Sequence, residues 1–472
     1  MKNIYITTAI PYVNGVPHIG HAMDYCLADT FSRYNKLIGN NVRFQAGTDE
    51  HGNKIFLKAR ESGKTTQEYV DENSAKFQEF IHKLGVEYTD YVRTTDPKHQ
   101  DRCQEIWKKL ESHIYKAKYD GWYCTGCERF VTEKECEENH GVCPDHQKPY
   151  EQLSEENYYF RISDFKEDIK KAIESGEMLI LPDFRKKEML RLLEESPDVS
   201  ISRPVSQLTW GVPVPGDESQ VMYVWIDALS NYITVLGYPD VDINEWWPAA
   251  AQFVGKDILR FHAIIWPAML MGLGLPLPKT IVSHGMVLAD GQKMSKSIGN
   301  VIDPMDVLER HGIDAFRYYF LRHIDTFADS DFTWEKYEKA YNNELANDYG
   351  NLVQRLATLA MKNNITFNKE LDAVLPDGYC KLMDNYEFSK AFDYVWEKIQ
   401  QLNQRIDEEK PWSLAKNGET DKLNECMKSL ILGLLSANTM LSPFLPNAAE
   451  KVRAIFTDPI MPPEEPLFVK TK

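Results

Sequence analysis

Hydrophobic and polar positions near the amino terminus follow two periods in succession. Residues 3–10 cluster apolar side chains and end at a proline, which is typical of a strand. Residues 23–38 repeat apolar side chains every three or four positions, which predicts a helix that Gly39 and Asn40 end. Residues 42–46 alternate again and predict a second strand. This order implies a right-handed crossover within a parallel sheet.

The middle of the chain interrupts this pattern. Tyrosines, cysteines and acidic residues predominate over residues 115–220, where the alternation at 158–162 predicts antiparallel strands. Apolar segments typical of a parallel sheet return at 222–225, 252–255 and 280–283. We therefore predict an α/β, Rossmann-like catalytic domain of residues 1–114 and 221–335, split by a connective insertion of residues 115–220.

Helical periodicity dominates towards the carboxyl terminus. One apolar face persists from Phe388 to Ile406, and residues 430–435 lie in a further helical run. We predict an all-α bundle over residues 336–472. The apolar segment 263–278 is too short and too rich in proline and glycine to span a membrane, so we interpret it as buried core.

Composition narrows the class of partner and the compartment. The net charge of −17 repels polyanions and argues against a nonspecific nucleic-acid coat. The amino terminus is typical of a strand rather than of a signal peptide. Four of the eight cysteines fall within twenty residues, which favours metal binding over a disulfide framework. We expect a cytoplasmic protein in a reducing compartment.

Two short motifs carry the candidate chemistry. His18 and His21 lie at the start of the first predicted helix, where amides and the helix dipole favour an anion, and Gly20 leaves room for a nucleotide. Lys293 and Lys296 lie on a predicted loop from which they can reach phosphates. Neither motif contains an evident nucleophile, so we predict in-line attack by a substrate on the α-phosphate of ATP. Either motif alone is more often structural, and only their combination favours ATP.

The motifs are similar to those of the class I aminoacyl-tRNA synthetases, and nearly the whole chain resembles the methionyl members of that family. Five further segments carry the resemblance: Ala9–Gly15, Gly47–Gly52, Val224–Leu229, Gly255–Ile258 and Phe261–His262. The resemblance implies activation of L-methionine by ATP, with Mg²⁺, to methionyl-adenylate and pyrophosphate. It also implies transfer of the methionyl group to the 3′ end of tRNA(Met).

Roles for individual residues follow from the same resemblance. It implies that the histidine pair stabilises the α-phosphate region and that Lys293 and Lys296 stabilise the leaving pyrophosphate. Further residues expected around ATP are Tyr12, Asn14, Gly20, Ser295 and Ser297. Residues expected around methionine are Ile10, Tyr12, Asp49, Trp225, Ala228, Leu229, Tyr232, Asp257 and His262.

The expected methionine pocket also has a physical rationale. Aromatic rings and an apolar wall suit a polarizable thioether, and Asp49 is the partner implied for the substrate ammonium. Core packing remains the alternative for Trp225 and Tyr232. Related enzymes can carry proline at the position of Leu229, so the pocket wall can differ in detail.

Paired cysteines within the insertion predict a structural zinc site. Two chelating pairs are separated by fifteen residues, a spacing that suits one closed tetrahedral ion in a knuckle over about residues 121–150. The four expected ligands are Cys124, Cys127, Cys143 and His146. Cys136 and His140 remain alternative ligands, and metal-free thiols are the other interpretation. By resemblance, the knuckle lies where related enzymes guide the acceptor end of tRNA.

The helical bundle is, by resemblance, the anticodon-binding domain. Asn351 and Arg355 are one helical turn apart and share a face, on which they offer amide and guanidinium donors. Trp412 offers a stacking plane for an unstacked base. Without the resemblance, a surface pair and a core tryptophan would be the preferred interpretation.

Three other functions remain open at this point. A class I synthetase for leucine, isoleucine or valine is disfavoured because the insertion leaves little room for an editing domain. One for cysteine is disfavoured because such enzymes hold a metal in the amino-acid pocket, whereas the clustered cysteines here lie far in sequence from the expected aromatic residues. A free-standing adenylyltransferase has no use for an anticodon-binding bundle. A noncatalytic RNA-binding protein has no use for both phosphate motifs. Because the chain ends soon after the bundle, we expect no dimerising module and hence a monomer.

Overall fold

The computed structural model describes residues 1–124, 129–144, 147–289, 291–294, 300–366 and 374–471. Its strands, in chain order, are β1 (Asn3–Thr8), β2 (Asn41–Thr48), β3 (Asp90–Arg93), β4 (Ile114–Cys124), β5 (Arg129–Val131), β6 (Glu151–Phe160), β7 (Leu179–Leu181), β8 (Val199–Ser200), β9 (Ser202–Pro204), β10 (Pro213–Val214), β11 (Asp217–Met222), β12 (Ala251–Gly255), β13 (Thr280–His284), β14 (Val287–Ala289), β15 (Gln292–Lys293) and β16 (Ser330–Phe332).

Helices occur in every part of the chain. They are α1 (Ile19–Leu37), α2 (Asn53–Glu61), α3 (Thr66–Lys83), α4 (Pro97–Lys109), α5 (Glu133–Glu138), α6 (Lys166–Ser175), α7 (Asp183–Glu195), α8 (Val224–Thr234), α9 (Trp266–Gly272), α10 (Pro304–Arg322), α11 (Trp334–Ala340), α12 (Asn351–Lys362), α13 (Asp377–Asp384), α14 (Phe388–Glu409), α15 (Pro411–Lys416), α16 (Thr420–Leu441) and α17 (Pro446–Ile455). Wider π-helical turns run over Phe261–Ile265 and Tyr341–Gly350. Gly312 interrupts α10 with a φ of 81°.

A parallel sheet with the order β3-β2-β1-β12-β13-β7 forms the centre of the molecule. Ile6, Phe253 and Ile281 on its inner strands are completely buried. Such near-continuous apolar strands are typical of a parallel sheet covered by helices on both faces. The helix α1 connects β1 to β2, as the amino-terminal periodicity predicts. The α/β, Rossmann-like fold is therefore confirmed.

The prediction of a strand at 222–225 is wrong. The strand β11 ends at Met222 and pairs antiparallel with β9 and β10, and the helix α8 begins at Val224. Ten of the eleven residues of α8 are buried, so its sequence lacks a polar face and resembles a buried strand. The segment was misassigned because a short apolar run does not distinguish these two structures.

The insertion is largely antiparallel, as the alternation at 158–162 predicts. The strands β4 and β6 pair along ten residues each, with β5 and β8 at the two edges of a four-stranded sheet. One strand within 115–220 departs from this arrangement, because β7 pairs parallel with β13 at the edge of the central sheet. The predicted domain boundaries remain a prediction. They place β7 in the insertion, although it pairs within the central sheet.

Long amphipathic helices form the carboxyl-terminal part of the chain. The buried residues of α14 run from Phe388 to Ile406 on one face, which confirms the predicted periodicity. That face packs among the buried leucines of α16 in a core that is continuous with one side of the central sheet. Among the described residues, no helix combines the length and the apolar character that crossing a membrane requires.

A buried arginine links the catalytic domain to the bundle. Arg317 on α10 lies 2.7 Å from the Asp29 carboxylate on α1, and both side chains are fully buried. The same guanidinium donates to the carbonyl oxygens of Pro443 and Phe444, between α16 and α17, at 2.9 and 2.8 Å. Arg33 also contacts Asp29 at 2.7 Å. The helix that begins at the histidine pair is thereby tied to the end of the bundle.

Replacing Arg317 with methionine should lower the stability of the protein by about 3 kcal/mol, because the substitution leaves a buried carboxylate with one cation fewer. Thermal unfolding monitored by circular dichroism measures the change. The control is Arg405→Met, which breaks a partly exposed pair with Glu409 and should cost less than about 1 kcal/mol. Equal shifts in the two melting temperatures would contradict the role of the buried pair.

Candidate active site

The first motif forms the start of α1. The extended backbone of His18 caps the helix, and its amide donates a hydrogen bond to His21 Nδ1 at 3.1 Å. The two imidazoles stack with centroids 3.6 Å apart and planes within 18°. A Cβ atom on Gly20 would lie 3.1 Å from the His18 ring, so glycine leaves space for this stack. Both predicted phosphate-binding histidines thus lie together at the positive end of a long helix.

His21 is held as a neutral imidazole. Burial, together with the neighbouring ring of His18, lowers the pKa of His21 well below its ordinary value. Because Nδ1 accepts the His18 amide, the neutral ring carries its proton on Nε2. This N–H group is a donor suited to a phosphate oxygen, and it lies beside the amides at the start of α1.

The carboxyl end of β13 meets α1 through a buried polar contact. His284, the last residue of β13, has Nε2 2.8 Å from the carboxylate of Asp24, one turn beyond His21 on α1. The other ring nitrogen, Nδ1, donates to the carbonyl oxygen of Gly285 at 2.8 Å. Burial opposes protonation of His284, but the Asp24 carboxylate raises its pKa above the ordinary value. A charge-assisted hydrogen bond therefore joins the strand to the helix.

The second motif leaves the sheet at the same edge as His284. The strand β14 follows β13 after two residues and pairs with β15 as a hairpin, in which Leu288 lies opposite Lys293. Gly291 supplies the left-handed turn with a φ of 72°. Three other predicted residues of the motif lie outside the described residues: Ser295, Lys296 and Ser297. The hairpin nevertheless starts where β13 contacts α1.

Tyr12 and Asp49 lie side by side where β1 and β2 end. The Asp49 amide donates to the carbonyl oxygen of Pro11 at 2.9 Å, and its own carbonyl oxygen accepts from the Val13 amide at 3.1 Å. The side chain of Asp49 is buried. Ile10 is half-buried on the same segment, whereas the predicted ATP contact Asn14 is exposed. Three predicted pocket residues therefore converge at the carboxyl edge of the sheet.

The aromatic part of the predicted pocket is assembled by α8 and the helical turns after β12. Trp225 stacks on Phe261, with centroids 3.7 Å apart and planes within 7°. Tyr232 and His262 Nε2 form a hydrogen bond of 2.7 Å, and His262 Nδ1 donates to the carbonyl oxygen of Ile258 at 3.0 Å. The neutral ring therefore accepts a hydrogen bond from the Tyr232 hydroxyl at Nε2. This pair has fixed donor and acceptor roles.

Burial determines the charge state of the pocket wall that these aromatic residues form. It lowers the pKa of His262 to about 4, against a smaller opposite effect of the Ile258 carbonyl, and it raises the pKa of Tyr232. Both rings are neutral near pH 7. Ala228 and Leu229 are buried between the aromatic residues of α8. The wall is thus apolar and uncharged.

Asp257 lies at the carboxyl end of β12. Its Oδ1 atom is 2.8 Å from the position of a Cβ atom on Gly255, so only glycine allows the carboxylate to fold back over the strand end. Its charge contributes to raising the pKa of Asp24, after the larger effect of burial. Asp257 therefore neighbours the α1 side of the site as well as the aromatic side.

Three residues of the site have no assigned role in the sequence analysis: Asp24, Phe261 and His284. Asp24 lies three residues after His21 and hence on the same helical face, a spacing that was sufficient to find it. His284 ends a predicted strand at the edge where ligands bind in parallel sheets, which was a second usable signal. The stack of Phe261 on Trp225 depends on packing between segments far apart in sequence.

Comparison with known proteins identifies the family. A family model described as tRNA synthetases class I (M) matches residues 4–357. The chain belongs to this family. It is 40% identical to the methionine–tRNA ligase of Thermotoga maritima over 468 residues, 95% of this chain and 74% of the relative. It is 41% identical to the enzyme of Caldanaerobacter subterraneus subsp. tengcongensis, over 96% of this chain and 73% of the relative.

Solved structures agree with this assignment. The methionyl-tRNA synthetase of Mycobacterium tuberculosis, in complex with methionyl-adenylate, superposes with a TM-score of 0.91 at 31% identity. The match covers 99% of this chain and all of that one. A free-standing adenylyltransferase is not favoured, because methionine–tRNA ligases match through both the sheet and the helical bundle.

Half of the predicted zinc ligands of this synthetase are described. Cys124 ends β4, and Cys143 lies in a turn where its amide donates to the carbonyl oxygen of Lys148 at 2.8 Å. Both cysteines are buried in one small cluster with the alternative ligand Cys136. The other two predicted ligands lie outside the described residues: Cys127 and His146. Two thiols brought together in a turn-rich knuckle fit the donor set of a structural zinc ion.

The predicted anticodon residues of the synthetase also lie close together. The Arg355 guanidinium is 5.8 Å from the centroid of the Trp412 ring and donates to Asp407 at 2.7 Å. Trp412, the second residue of the short helix α15, is 42% exposed. Asn351, one turn before Arg355 on α12, is exposed as well. An exposed indole beside a guanidinium is a surface that can stack a base.

Replacing His262 with glutamine should reduce the loss of stability on acidification. The ring resists protonation in the folded protein down to about pH 4, whereas an unfolded histidine takes up a proton below about pH 6.5. The unfolded state binds more protons between these values, so the wild type should lose about 2 kcal/mol between pH 7 and pH 5 through this residue. Melting temperatures of both proteins at the two pH values measure the difference. If the difference in melting temperature between the two proteins is the same at pH 7 and pH 5, the lowered pKa of His262 is contradicted.

Proposed function

We propose that this synthetase activates L-methionine with ATP and transfers the methionyl group to the 3′ end of tRNA(Met). The hydrogen bond between His284 and Asp24 carries the proposal, because it joins the strand that leads to the lysine loop to the helix that begins at the histidine pair. Both phosphate motifs therefore start from one edge of the sheet. The names of the relatives, and the methionyl-adenylate in the Mycobacterium tuberculosis structure, support methionine as the substrate.

In the first step, a carboxylate oxygen of methionine bonds to the α-phosphorus of ATP while the bond to the bridging oxygen breaks and pyrophosphate leaves. Negative charge grows on the oxygens around phosphorus, where the Nε2–H of His21 and the first amides of α1 act as donors. His18 holds the His21 ring in place by stacking on it and by a hydrogen bond from the His18 amide to His21 Nδ1. Lys293 and Lys296 are proposed to neutralise pyrophosphate. Mg²⁺, when it accompanies ATP, supplies further neutralisation of the phosphates.

The amino-acid pocket selects an apolar side chain. Tyr232 donates to His262, and His262 donates to a backbone carbonyl, so their polar hydrogens are already used within the protein. A substrate carbonyl or other acceptor buried against this pair would lose its hydrogen bonds to water without replacement, which penalises polar amino acids that carry such a group. The stacked rings of Trp225 and Phe261 offer polarizable surface to a thioether. Asp49 is proposed to bind the ammonium group.

In the second step, the hydroxyl oxygen of the terminal ribose of tRNA bonds to the carbonyl carbon of methionyl-adenylate and AMP leaves. The hydroxyl proton passes to the departing phosphate or to water, so the step needs no further reactant. Arg355 and Trp412 are proposed to bind the anticodon far along the bundle. The Arg317 contacts provide a rigid connection between that bundle and α1.

Replacing His21 with asparagine should lower methionine-dependent exchange of pyrophosphate into ATP by about 10²–10³-fold, the usual effect of losing one transition-state donor. Asparagine retains an acceptor near the position of Nδ1 but has no donor at that of Nε2. His21→Gln, whose amide reaches the Nε2 position, should retain more activity. The matched control is His113→Asn, a half-exposed histidine paired with Asp164, which should exchange normally. Comparable rates for all variants, or equal stimulation by leucine, would contradict the proposal.

We also propose one structural zinc ion per chain in the knuckle. Replacing Cys124 or Cys143 with serine should remove the metal measured by elemental analysis and lower the melting temperature, because a closed tetrahedral site loses a thiolate ligand. Cys136→Ser tests the alternative ligand and should retain about one zinc per chain. If only Cys136→Ser loses the metal, Cys136 is a zinc ligand and the proposed ligand set is wrong.

A further inference from the structure

Three polar side chains meet deep inside the catalytic domain, and the proposed chemistry uses none of them. Asp227 is 1% exposed and lies between two buried imidazoles. Its Oδ2 atom is 2.6 Å from His51 Nδ1, and its Oδ1 atom is 2.7 Å from His99 Nε2. The carboxylate thus accepts a short hydrogen bond on each oxygen.

The three residues belong to segments that build the methionine pocket. Asp227 is on α8, two residues after Trp225, and His51 is two residues after Asp49. His99 is on α4, and its Nδ1 atom lies 2.7 Å from the hydroxyl of Thr234 near the end of α8. One imidazole therefore spans two turns of α8, while the other attaches the same helix to the segment proposed to bind the ammonium.

The network is charged at its centre. Burial opposes ionisation of Asp227, but His51 and His99 more than offset it and hold the pKa of this carboxyl to about 2. The ionised carboxylate makes both bonds charge-assisted, which strengthens them in a site without bulk water. Removing one partner would leave polar atoms buried without a hydrogen bond.

A metal ion is a weaker explanation of the same cluster. Donor atoms of His99, Cys103 and Asp227 lie within 4.8 Å of one another, a spacing that can surround an ion. Two ligands of one tetrahedral ion lie about 3.3 Å apart, since each bond is about 2.0–2.1 Å long. The imidazole and carboxylate are instead at 2.7 Å, the distance of a shared proton, and burial raises the pKa of the Cys103 thiol well above its ordinary value. The atoms fit a hydrogen-bond network.

We propose that Asp227 is a positioning residue for the amino-acid substrate, which fixes the α8 wall of the pocket against the Asp49 segment through His51 and His99. This inference rests on the proposed function. If the wall shifts relative to Asp49, the thioether and the ammonium group can no longer be bound at once in the best geometry. ATP binds at α1 and the lysine loop, which these hydrogen bonds do not touch.

Pyrophosphate exchange with the full-length protein tests the inference through separate Michaelis constants. Asp227→Asn keeps the shape of the side chain but places an amide against one imidazole donor. The KM for methionine should rise about tenfold, as expected for a pocket misaligned by a fraction of an ångström, and the KM for ATP should change less than about twofold. A merely structural residue would shift both constants together or neither.

A second variant tests the same role in case Asp227→Asn folds poorly. His99→Asn has an amide near the position of Nδ1, next to Thr234, but leaves Asp227 without its second donor, and it should raise the same constant. Combining both substitutions should cost less than the product of the single effects, because they break the same bond. The control is Glu344→Gln, a partly buried carboxylate paired with Arg322 away from α8, which should affect the melting temperature and not the KM for methionine.

Outcomes for the two proposals are distinct. If the wild type shows no methionine-dependent exchange, the proposed function is wrong. If the wild type is active and both variants keep the KM for methionine within about twofold of it, the positioning role is wrong. A parallel rise in both Michaelis constants, matched by the Glu344 control, would also overturn it.

Discussion

Parallel pairing of β1, β12 and β13 is the constraint on which the site depends. Because the strands run in one direction, their carboxyl ends lie at a single edge of the sheet. The start of α1, the carboxylate of Asp257 and the ring of His284 therefore face a common space. The hydrogen bond from His284 to Asp24 then holds the strand and the helix in register at the point where a triphosphate is proposed to bind.

Buried charges play two different roles around this edge. Asp29 and Arg317 join the catalytic helix α1 to the end of the bundle, a contact that bears on the relative placement of two functional regions. Asp227 lies on the other side of the sheet domain and joins α8 to the segment after β2. In both cases cations or imidazole donors surround a carboxylate whose burial alone would be unfavourable.

Neutrality is equally important in the pocket itself. His21 and His262 are both kept uncharged by burial, and in each ring a fixed hydrogen bond decides which nitrogen carries the proton. One ring thereby presents a donor towards the phosphate side, whereas the other satisfies Tyr232 and leaves the wall apolar. The same type of side chain thus has opposite purposes in the two parts of the site.

The sequence alone was sufficient for the fold class and the long helical face of α14, because both depend on local periodicity. Residue types at fixed spacing led to the two motifs and the clustered cysteines on which the proposals rest. It did not distinguish the buried helix α8 from a strand, since a segment buried on all sides has no polar period. Only the tertiary structure decided that β7 joins the central sheet, that His284 meets Asp24 and that Asp227 lies between His51 and His99. The three side-chain contacts join residues 128, 176 and 260 positions apart in the sequence, and pairing at such distances is set by packing and not by any local pattern.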